Sequence, residues 1–239
     1  TFTDFVLIRE SDGEITSLKT LSTPPEFSQG VVNGLDKLDL DLRQVNYIVH
    51  GTTIGVNALI QRQGAMTGLL TTRGFEDILH IQWMNKPEMY SLFYRKPAPL
   101  VRRRNRLGID ERVDGQGRIL KEVDPERVHE AMRSLIDRGI TSLAICTINS
   151  YANPKNEQRI FQIVQEASPN IHVSVSNHII SQRREYERTS TTVLNAYIAP
   201  LMCRYLEQLE NELERRGFKG TFLVMKSNGG VMTVENAKV

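Results

Sequence analysis

The sequence predicts an α/β protein, on three observations. Short apolar runs of strand length alternate with amphipathic segments of helical period. Glycine, proline, asparagine and aspartate fall between them, and the longest helical pattern comes only after the alternation is established. Alternation of this kind builds a mixed sheet with flanking helices.

Composition narrows the function classes. Of 239 residues, 40% are hydrophobic and 24% charged, ordinary globular material for one large domain or two smaller ones. Thirty Lys and Arg against 28 Asp and Glu leave a formal charge of +2, too small an excess to point to nucleic acid. No apolar run reaches the ~20 residues a membrane helix needs, and the N-terminus has no secretion pattern. The two cysteines, Cys146 in an apolar stretch and Cys203 in a helical one, suit neither a metal site nor a disulfide framework, and the expected compartment is the cytoplasm.

The elements follow in order. Residues 2–10 and 15–21 read as a hairpin around Ser11, Asp12, Gly13 and Glu14. Thr23-Pro24-Pro25 ends it, and the prolines open a helix to about Leu38 with Phe27, Val31 and Leu35 on one stripe. Tyr47, Ile48 and Val49 form a short buried strand that passes through His50-Gly51-Thr52-Thr53 into a helix with Ile54, Ala58 and Leu59. Gly64 stops that helix, and residues 67–71 make the next strand. This βαβ pattern is expected to pair its two strands in parallel. Residues 82–105, with Pro87, Pro97, Pro99 and the run Arg102-Arg103-Arg104, make an irregular excursion, either functional or a plain insertion. The arginines are a solvated loop or a contact for an acidic partner.

A second hairpin is expected from residues 107–113 and 118–123 around Asp114-Gly115-Gln116-Gly117. Asp124 caps a helix with Pro125 at its first position and Val128, Met132, Leu135 and Ile136 on one face. A strand at 142–148, a helix after Asn153-Pro154 with Ile160, Ile163 and Val164, and a strand at 171–175 continue the alternation. Residues 185–217 are helical, with Pro200 dividing or kinking the helix and Leu201, Tyr205, Leu209 and Leu213 on one stripe. A strand at 222–226 leads to the loop Ser227-Asn228-Gly229-Gly230. The chain opens on a strand without Met and stops just after a helix begins, so it reads as a segment of a longer protein.

Four stretches could carry chemistry. Thr1-Phe2-Thr3-Asp4 places hydroxyls and a carboxylate at a strand end, where they could meet phosphate and hydrated Mg²⁺ or could be ordinary strand residues. His50-Gly51-Thr52-Thr53, followed by Asn57, lies where a buried strand hands over to a helix. Glycine permits close approach there and the helix N-terminus favours an anion; equally, Thr53 could be simply an N-cap and His50 a hydrogen-bonded loop residue. Tyr186, Thr189, Thr192 and Asn195 could line a polar cleft from a helix, or the hydroxyls could bond back to their own helix. Ser227-Asn228-Gly229-Gly230 could admit a phosphate to the main chain or be a common turn. The phosphate-loop, dinucleotide, zinc-protease and nucleophile-elbow motifs are absent. Cys146 reads as a buried, inert thiol.

Taken jointly, these stretches resemble the hydantoinase A/oxoprolinase family. The resemblance is carried by Thr1-Phe2-Thr3-Asp4; by His50-Gly51-Thr52-Thr53 through Asn57-Ala58-Leu59 to Thr71-Thr72-Arg73-Gly74-Phe75; by Arg184-Glu185-Tyr186-Glu187-Arg188 to Asn195-Ala196-Tyr197; and by Ser227-Asn228-Gly229-Gly230. It implies the N-terminal portion of an actin-like ATPase (ribonuclease H-like) fold, a mixed sheet with flanking helices and an inserted hairpin region. Residues 1–180 would be the N-terminal domain and 181–239 the truncated start of the catalytic domain.

The resemblance further implies an ATP-dependent enzyme that phosphorylates and opens a cyclic amide of the 5-oxoproline or hydantoin type. A ketone carboxylase subunit and a non-catalytic assembly subunit are the alternatives. Thr1, Thr3, Asp4, Gly51, Ser227, Asn228, Gly229 and Gly230 would serve ATP, with Asp4 on Mg²⁺. His50, Thr52, Thr53, Asn57, Tyr186, Thr189, Thr192 and Asn195 would serve the substrate and the reaction. A hydantoinase B-type subunit or domain would be the partner in an oligomer. In the family Thr1 would complete an Asp-x-Gly-Gly-Thr phosphate loop whose other residues do not stand here, and the remaining nucleotide-binding segments would follow Val239, so this segment alone is expected to bind ATP weakly. Asn149 and Asn156 stand where relatives often carry histidine.

Overall fold

The structure, a computed structural model, describes residues 2–24, 26–83 and 88–238. Thr1, Pro25, Pro87 and Val239, all used in the reading above, lie outside the described residues. Along the chain run β1 (Phe2–Ile8), β2 (Ile15–Leu21), α1 (Phe27–Leu38), β3 (Tyr47–His50), α2 (Ile54–Ile60), β4 (Thr67–Thr72), α3 (Ile78–Ile81), β5 (Arg106–Ile109), β6 (Arg112–Val113) and β7 (Ile119–Lys121). There follow α4 (Pro125–Asp137), β8 (Ser142–Cys146), α5 (Lys155–Ala167), β9 (His172–Val175), α6 (Ser176–Ile179), α7 (Glu185–Arg215), β10 (Thr221–Met225), β11 (Val231–Thr233) and α8 (Val234–Ala237).

Contacts divide the chain into two compact units, one made of Thr1–Ile54 with Leu201–Lys238 and the other of Gly55–Pro200. The first holds the antiparallel hairpin β1–β2 and a three-stranded sheet of order β11-β10-β3, in which β10 pairs β3 in parallel and β11 antiparallel. Its core joins Val31 of α1, Leu42, Ile54, Val224 and Phe218 to the α7 residues Tyr205, Leu206, Leu209 and Leu213. The predicted stripe at 205, 209 and 213 is thus the buried one. Phe5 seats its ring against α1 where Gly34 has no side chain, and any Cβ there would overlap the ring.

The second unit is built on a parallel sheet of order β5-β4-β8-β9. Neighbouring residues of a strand point to opposite faces, and the core splits accordingly. Leu70, Leu143 and Ile145 pack with Val128, Met132 and Leu135 of α4 and Ile160, Ile163 and Val164 of α5. Leu69, Ala144 and Cys146 pack with Val193 and Ala196 of α7 on the other face. Burying one such aliphatic side chain contributes about 1.5–3 kcal/mol, so two filled faces account for the sheet's persistence. Asp124 caps α4 by accepting from Glu126 N at 3.0 Å, with Pro125 at the first position. Ile136 is exposed, at the margin of the stripe.

Two expectations are corrected, and a third is narrowed. The strands flanking α2 are not partners: β3 pairs with β10 and β4 with β5 and β8, because alternation in sequence does not specify which strand a strand finds. The first arm of the second hairpin is split, with β5 joining the parallel sheet and β6 alone pairing β7. The break is at Glu111, whose carboxylate turns inward to Thr72 Oγ1 and, at 2.8 Å, Asn156 Nδ2.

Of the two alternatives at Pro200, division of the helix is excluded, since α7 runs through it. Proline lacks the N–H that the Ala196 carbonyl would accept. Ser142 Oγ donates to that carbonyl at 2.6 Å instead, and Ala65 N donates to the neighbouring Tyr197 carbonyl at 2.9 Å.

Gly220 fixes where β10 starts. Thr221 N donates to Asn46 O at 2.8 Å, and a Cβ on Gly220 would run into the backbone carbonyls of Asn46 and Val45. Gly220→Ala should therefore lower unfolding free energy by about 2 kcal/mol or more, as backbone cannot yield as a side-chain tip can. Gly115→Ala, whose Cβ would enter open space, should stay within about 0.5 kcal/mol. Urea denaturation of the two variants makes the comparison, and equal losses would contradict it.

Candidate functional site

The parallel pairing of β3 with β10 sets the site. Val224 stands opposite His50, so both strands end at the same edge of the sheet. The turns that leave that edge, 51–53 from β3 and 227–230 from β10, are two of the four stretches singled out in the sequence. Gly51 lies against Met225, with its absent Cβ about 3.8 Å from Met225 Sδ. Ligands of α/β sheets favour such C-terminal strand edges.

At the first turn, Thr52 Oγ1 accepts from Ile54 N at 3.2 Å and so caps the start of α2. Thr53 is exposed, and Asn57, half-buried, sits one turn further along α2. The second turn is a hairpin: Gly229 N donates to Lys226 O at 3.0 Å, Lys226 N to Gly230 O at 2.7 Å, and Gly230 N to Asn228 Oδ1 at 3.1 Å. Gly229 has φ +84°, the left-handed conformation that glycine adopts without strain. The N–H groups of Gly229 and Gly230 are thus engaged within the turn, whereas Ser227 and Asn228 stand exposed at its tip.

His50 carries the electrostatics of this edge. Its Nε2 lies 2.8 Å from the Tyr205 hydroxyl, and its ring is tilted against Tyr205 and Phe222 at centroid distances of 5.6 and 6.4 Å. Burial among these rings disfavours the imidazolium and pushes the His50 pKa down to about 4, while burial also drives the Tyr205 phenol up. At neutral pH the edge therefore offers an uncharged imidazole, able to donate one hydrogen bond and accept another.

The head of β1 keeps other company. Thr3 Oγ1 lies 3.2 Å from Ser22 Oγ, and the Asp4 carboxylate lies 3.2 Å from Lys19 Nζ, with both members of that pair well exposed. The opposite end of the hairpin is tied to the start of β3, where Asn46 Nδ2 donates to Glu10 Oε2 at 3.2 Å.

The four α7 residues belong to the second unit. Thr189 Oγ1 donates to Cys146 Sγ at 3.2 Å, Thr192 Oγ1 to Arg188 O at 2.7 Å, and Asn195 Nδ2 to Ser174 Oγ at 3.0 Å; Tyr186 packs against the cluster that includes Leu69, Ala144 and Val193. Thr189 and Thr192 are buried. These contacts fasten α7 to the ends of β8 and β9, and Thr192 makes the backward bond to its own helix that its position allows. Cys146 is fully buried, and desolvation raises its thiol, as expected of an inert cysteine.

Beside them lies a polar network that the sequence reading missed. Glu157 is fully buried and accepts from Thr147 N at 2.9 Å, Ser176 Oγ at 2.7 Å and Asn177 N at 3.0 Å. Desolvation pushes its carboxyl upward against these donors and the nearby Arg188. Arg188, 1% exposed, donates to the Thr147 carbonyl and stacks on Tyr151. A signal was present: Glu157 falls on the i, i+3, i+7 stripe of Ile160 and Val164, which marks a carboxylate turned toward the core. Among the described residues no group of three or more His, Cys, Asp and Glu could hold a metal ion, and no helix is long and apolar enough to cross a membrane.

Comparison with known proteins places this geometry. Residues 1–168 match the model of the hydantoinase/oxoprolinase N-terminal region and residues 188–239 that of the hydantoinase/oxoprolinase proper. The chain is 35% identical to the acetophenone carboxylase gamma subunit of Aromatoleum aromaticum, over 96% of this chain and 34% of that one. It is 34% identical to the caprolactamase subunit alpha of Pseudomonas jessenii, over 97% and 34% respectively. The crystal structure of the ATP-dependent caprolactamase from Pseudomonas jessenii superposes with a TM-score of 0.90 at 33% identity, covering 98% of this chain and 35% of that one. The chain thus spans about a third of the length of the curated relatives it matches. Its architecture, mixed sheets with flanking helices, is the one expected of the actin-like ATPase class, and with family models matching residues 1–168 and 188–239 the chain belongs to the hydantoinase/oxoprolinase family.

Proposed function

We propose that the protein containing this chain uses Mg-ATP to phosphorylate the carbonyl oxygen of a cyclic amide and so opens the ring. Resonance makes a lactam a poor electrophile; transfer of the γ-phosphoryl group to its oxygen leaves ADP and an O-phosphorylated imidate whose carbon water can attack. The tetrahedral adduct opens the ring by expelling the nitrogen as the C–N bond breaks, leaving an acyl phosphate that a second water hydrolyses to carboxylate and phosphate. Such transfer needs positioning and charge neutralisation more than a covalent nucleophile. The observation that carries the reading is the meeting of the 51–53 and 227–230 turns at one strand edge, beside a neutral His50.

In this reading Thr1, Thr3, Gly51 and residues 227–230 serve the phosphates. Asp4, exposed and paired with an exposed lysine, is the carboxylate for a Mg²⁺ that would keep water and phosphate as its other ligands. His50, Thr52, Thr53 and Asn57 serve the reacting carbonyl or γ-phosphate, and Tyr186, Thr189, Thr192 and Asn195 act by fixing the head of α7 within the second unit. Residues 1–180 make the N-terminal domain and 181–239 begin the catalytic one. The protein works in the cytoplasm, as an oligomer with a hydantoinase B-type subunit or domain that completes hydrolysis. The near-equal identity to a carboxylase gamma subunit and a lactamase alpha subunit keeps one alternative open, in which ATP activates a ketone and bicarbonate.

Intact protein with its partner should consume ATP in response to caprolactam, 5-oxoproline or a hydantoin. Consumption with a ketone plus bicarbonate alone would replace the lactam reading. His50→Ala should lower kcat by about 10²-fold or more, the loss typical of a donor aimed at developing charge; full activity would remove His50 from the site.

The imidazole also predicts a pH dependence of stability. The folded pKa, about 4, lies below the ordinary 6.5, so the unfolded chain binds the proton first. This contribution is whole above pH 6.5 and is lost as pH falls toward 4, by about 3 kcal/mol at most. Urea denaturation from pH 7.5 to 4.5 should show a shallower loss in His50→Gln than in the natural chain, and parallel curves would refute it.

A further inference from the structure

Tyr205 is placed by helix packing: it continues the stripe of Leu209 and Leu213 into the first unit's core and is 6% exposed. A phenol hydroxyl in such a position needs an acceptor for its proton. The atom within reach is Nε2 of His50, at 2.8 Å. A neutral imidazole has one bare nitrogen and one N–H. Were Nε2 protonated, its hydrogen would face the hydroxyl and the phenol proton would have to turn back into apolar surroundings. With Nε2 bare, both groups are satisfied by one bond. Phe222, against the same imidazole at 6.4 Å, adds apolar surface that disfavours a charged ring.

We propose that Tyr205 is a positioning residue that donates to His50 Nε2, locks the imidazole in its Nδ1–H tautomer, and so makes His50 a hydrogen-bond donor at the strand edge rather than a proton-transfer group. The tautomer follows from the Tyr205 geometry alone, whereas its use in the reaction rests on the reading of His50 given above. The donor would meet an oxygen of the substrate carbonyl or of the transferring phosphoryl group, where an N–H of fixed direction opposes growing negative charge without itself gaining or losing a proton.

Long-range proton–nitrogen correlation NMR on the chain with ¹⁵N-labelled histidine, at pH 7, reads the tautomer directly. His50→Gln identifies the signal. The natural chain should show a bare Nε2 and a protonated Nδ1 for His50. Tyr205→Phe, which keeps the ring and its packing, should move the signal toward the Nε2–H form that free imidazole favours, and leave the other four histidines unchanged. An Nε2–H pattern in the natural chain, or no change in Tyr205→Phe, would overturn the proposal. In the intact enzyme, Tyr205→Phe should lower kcat about tenfold, the worth of one well-aligned hydrogen bond, with little change in KM. A changed tautomer with undiminished kcat would overturn the positioning role. Full activity in His50→Ala would instead strike the functional reading of the site, and the tautomer assignment would survive it.

Discussion

The alignment of β3 with β10 is the constraint on which the candidate site depends. The two strands stand some 170 positions apart in sequence, and their pairing is parallel, so no tight turn can enforce it. What holds it is the packing of α1 and the second half of α7 on the sheet they form, together with the close approach of Gly220 to the Asn46 carbonyl. Loop closure over such a span costs entropy that rises only slowly with length. The intervening residues, moreover, fold on contacts of their own as the second unit. Once Val224 and His50 are in register, the sites of both turns are fixed by strand ends rather than by the loops, and this is how a constellation drawn from short segments keeps its geometry.

The second unit solves a different problem, the closure of a parallel sheet whose strand ends carry polar residues. Glu157 collects two backbone N–H groups and a serine hydroxyl from the ends of β8 and β9, while Arg188 takes the Thr147 carbonyl. A buried charge is costly unless its hydrogen-bonding capacity is filled, and the gain from such networks is more in specificity than in stability. A placement of α5 or of the head of α7 that lost these bonds would leave buried donors and acceptors without partners. The threonines of α7 then add bonds to Cys146 and to their own helix.

Local order was legible in the sequence and long-range partnership was not. Periodicity located the stripes at Val128, Met132 and Leu135, at Ile160, Ile163 and Val164, and along the second half of α7, because burial acts on each helix face independently. It could not say that β3 would leave β4 for β10, or that residues 106–109 would join the parallel sheet, since partner choice is settled by packing between distant segments. The turns at 51 and 229 were visible as glycine-bearing breaks; their adjacency was implied by the family resemblance and not by any spacing in the sequence. Glu157 was overlooked because a carboxylate on an apolar stripe is usually a stripe's edge, and its donors come from two segments distant in sequence, at Thr147 and at Ser176 and Asn177. Tyr205 was visible as a core residue, with nothing in its spacing to reveal that its hydroxyl would find an imidazole 155 positions away.

The passage of α7 through Pro200 has a dynamic consequence. An interrupted ladder of helical hydrogen bonds is normally where a helix opens first. Here the carbonyls beside the break are held by Ser142 of β8 and by Ala65. Local opening at mid-helix therefore cannot proceed as a private fluctuation of α7, since it must also release the first residue of a central strand. Exchange of the amide hydrogens on either side of Pro200 is thereby coupled to the stability of the sheet as well as to that of the helix.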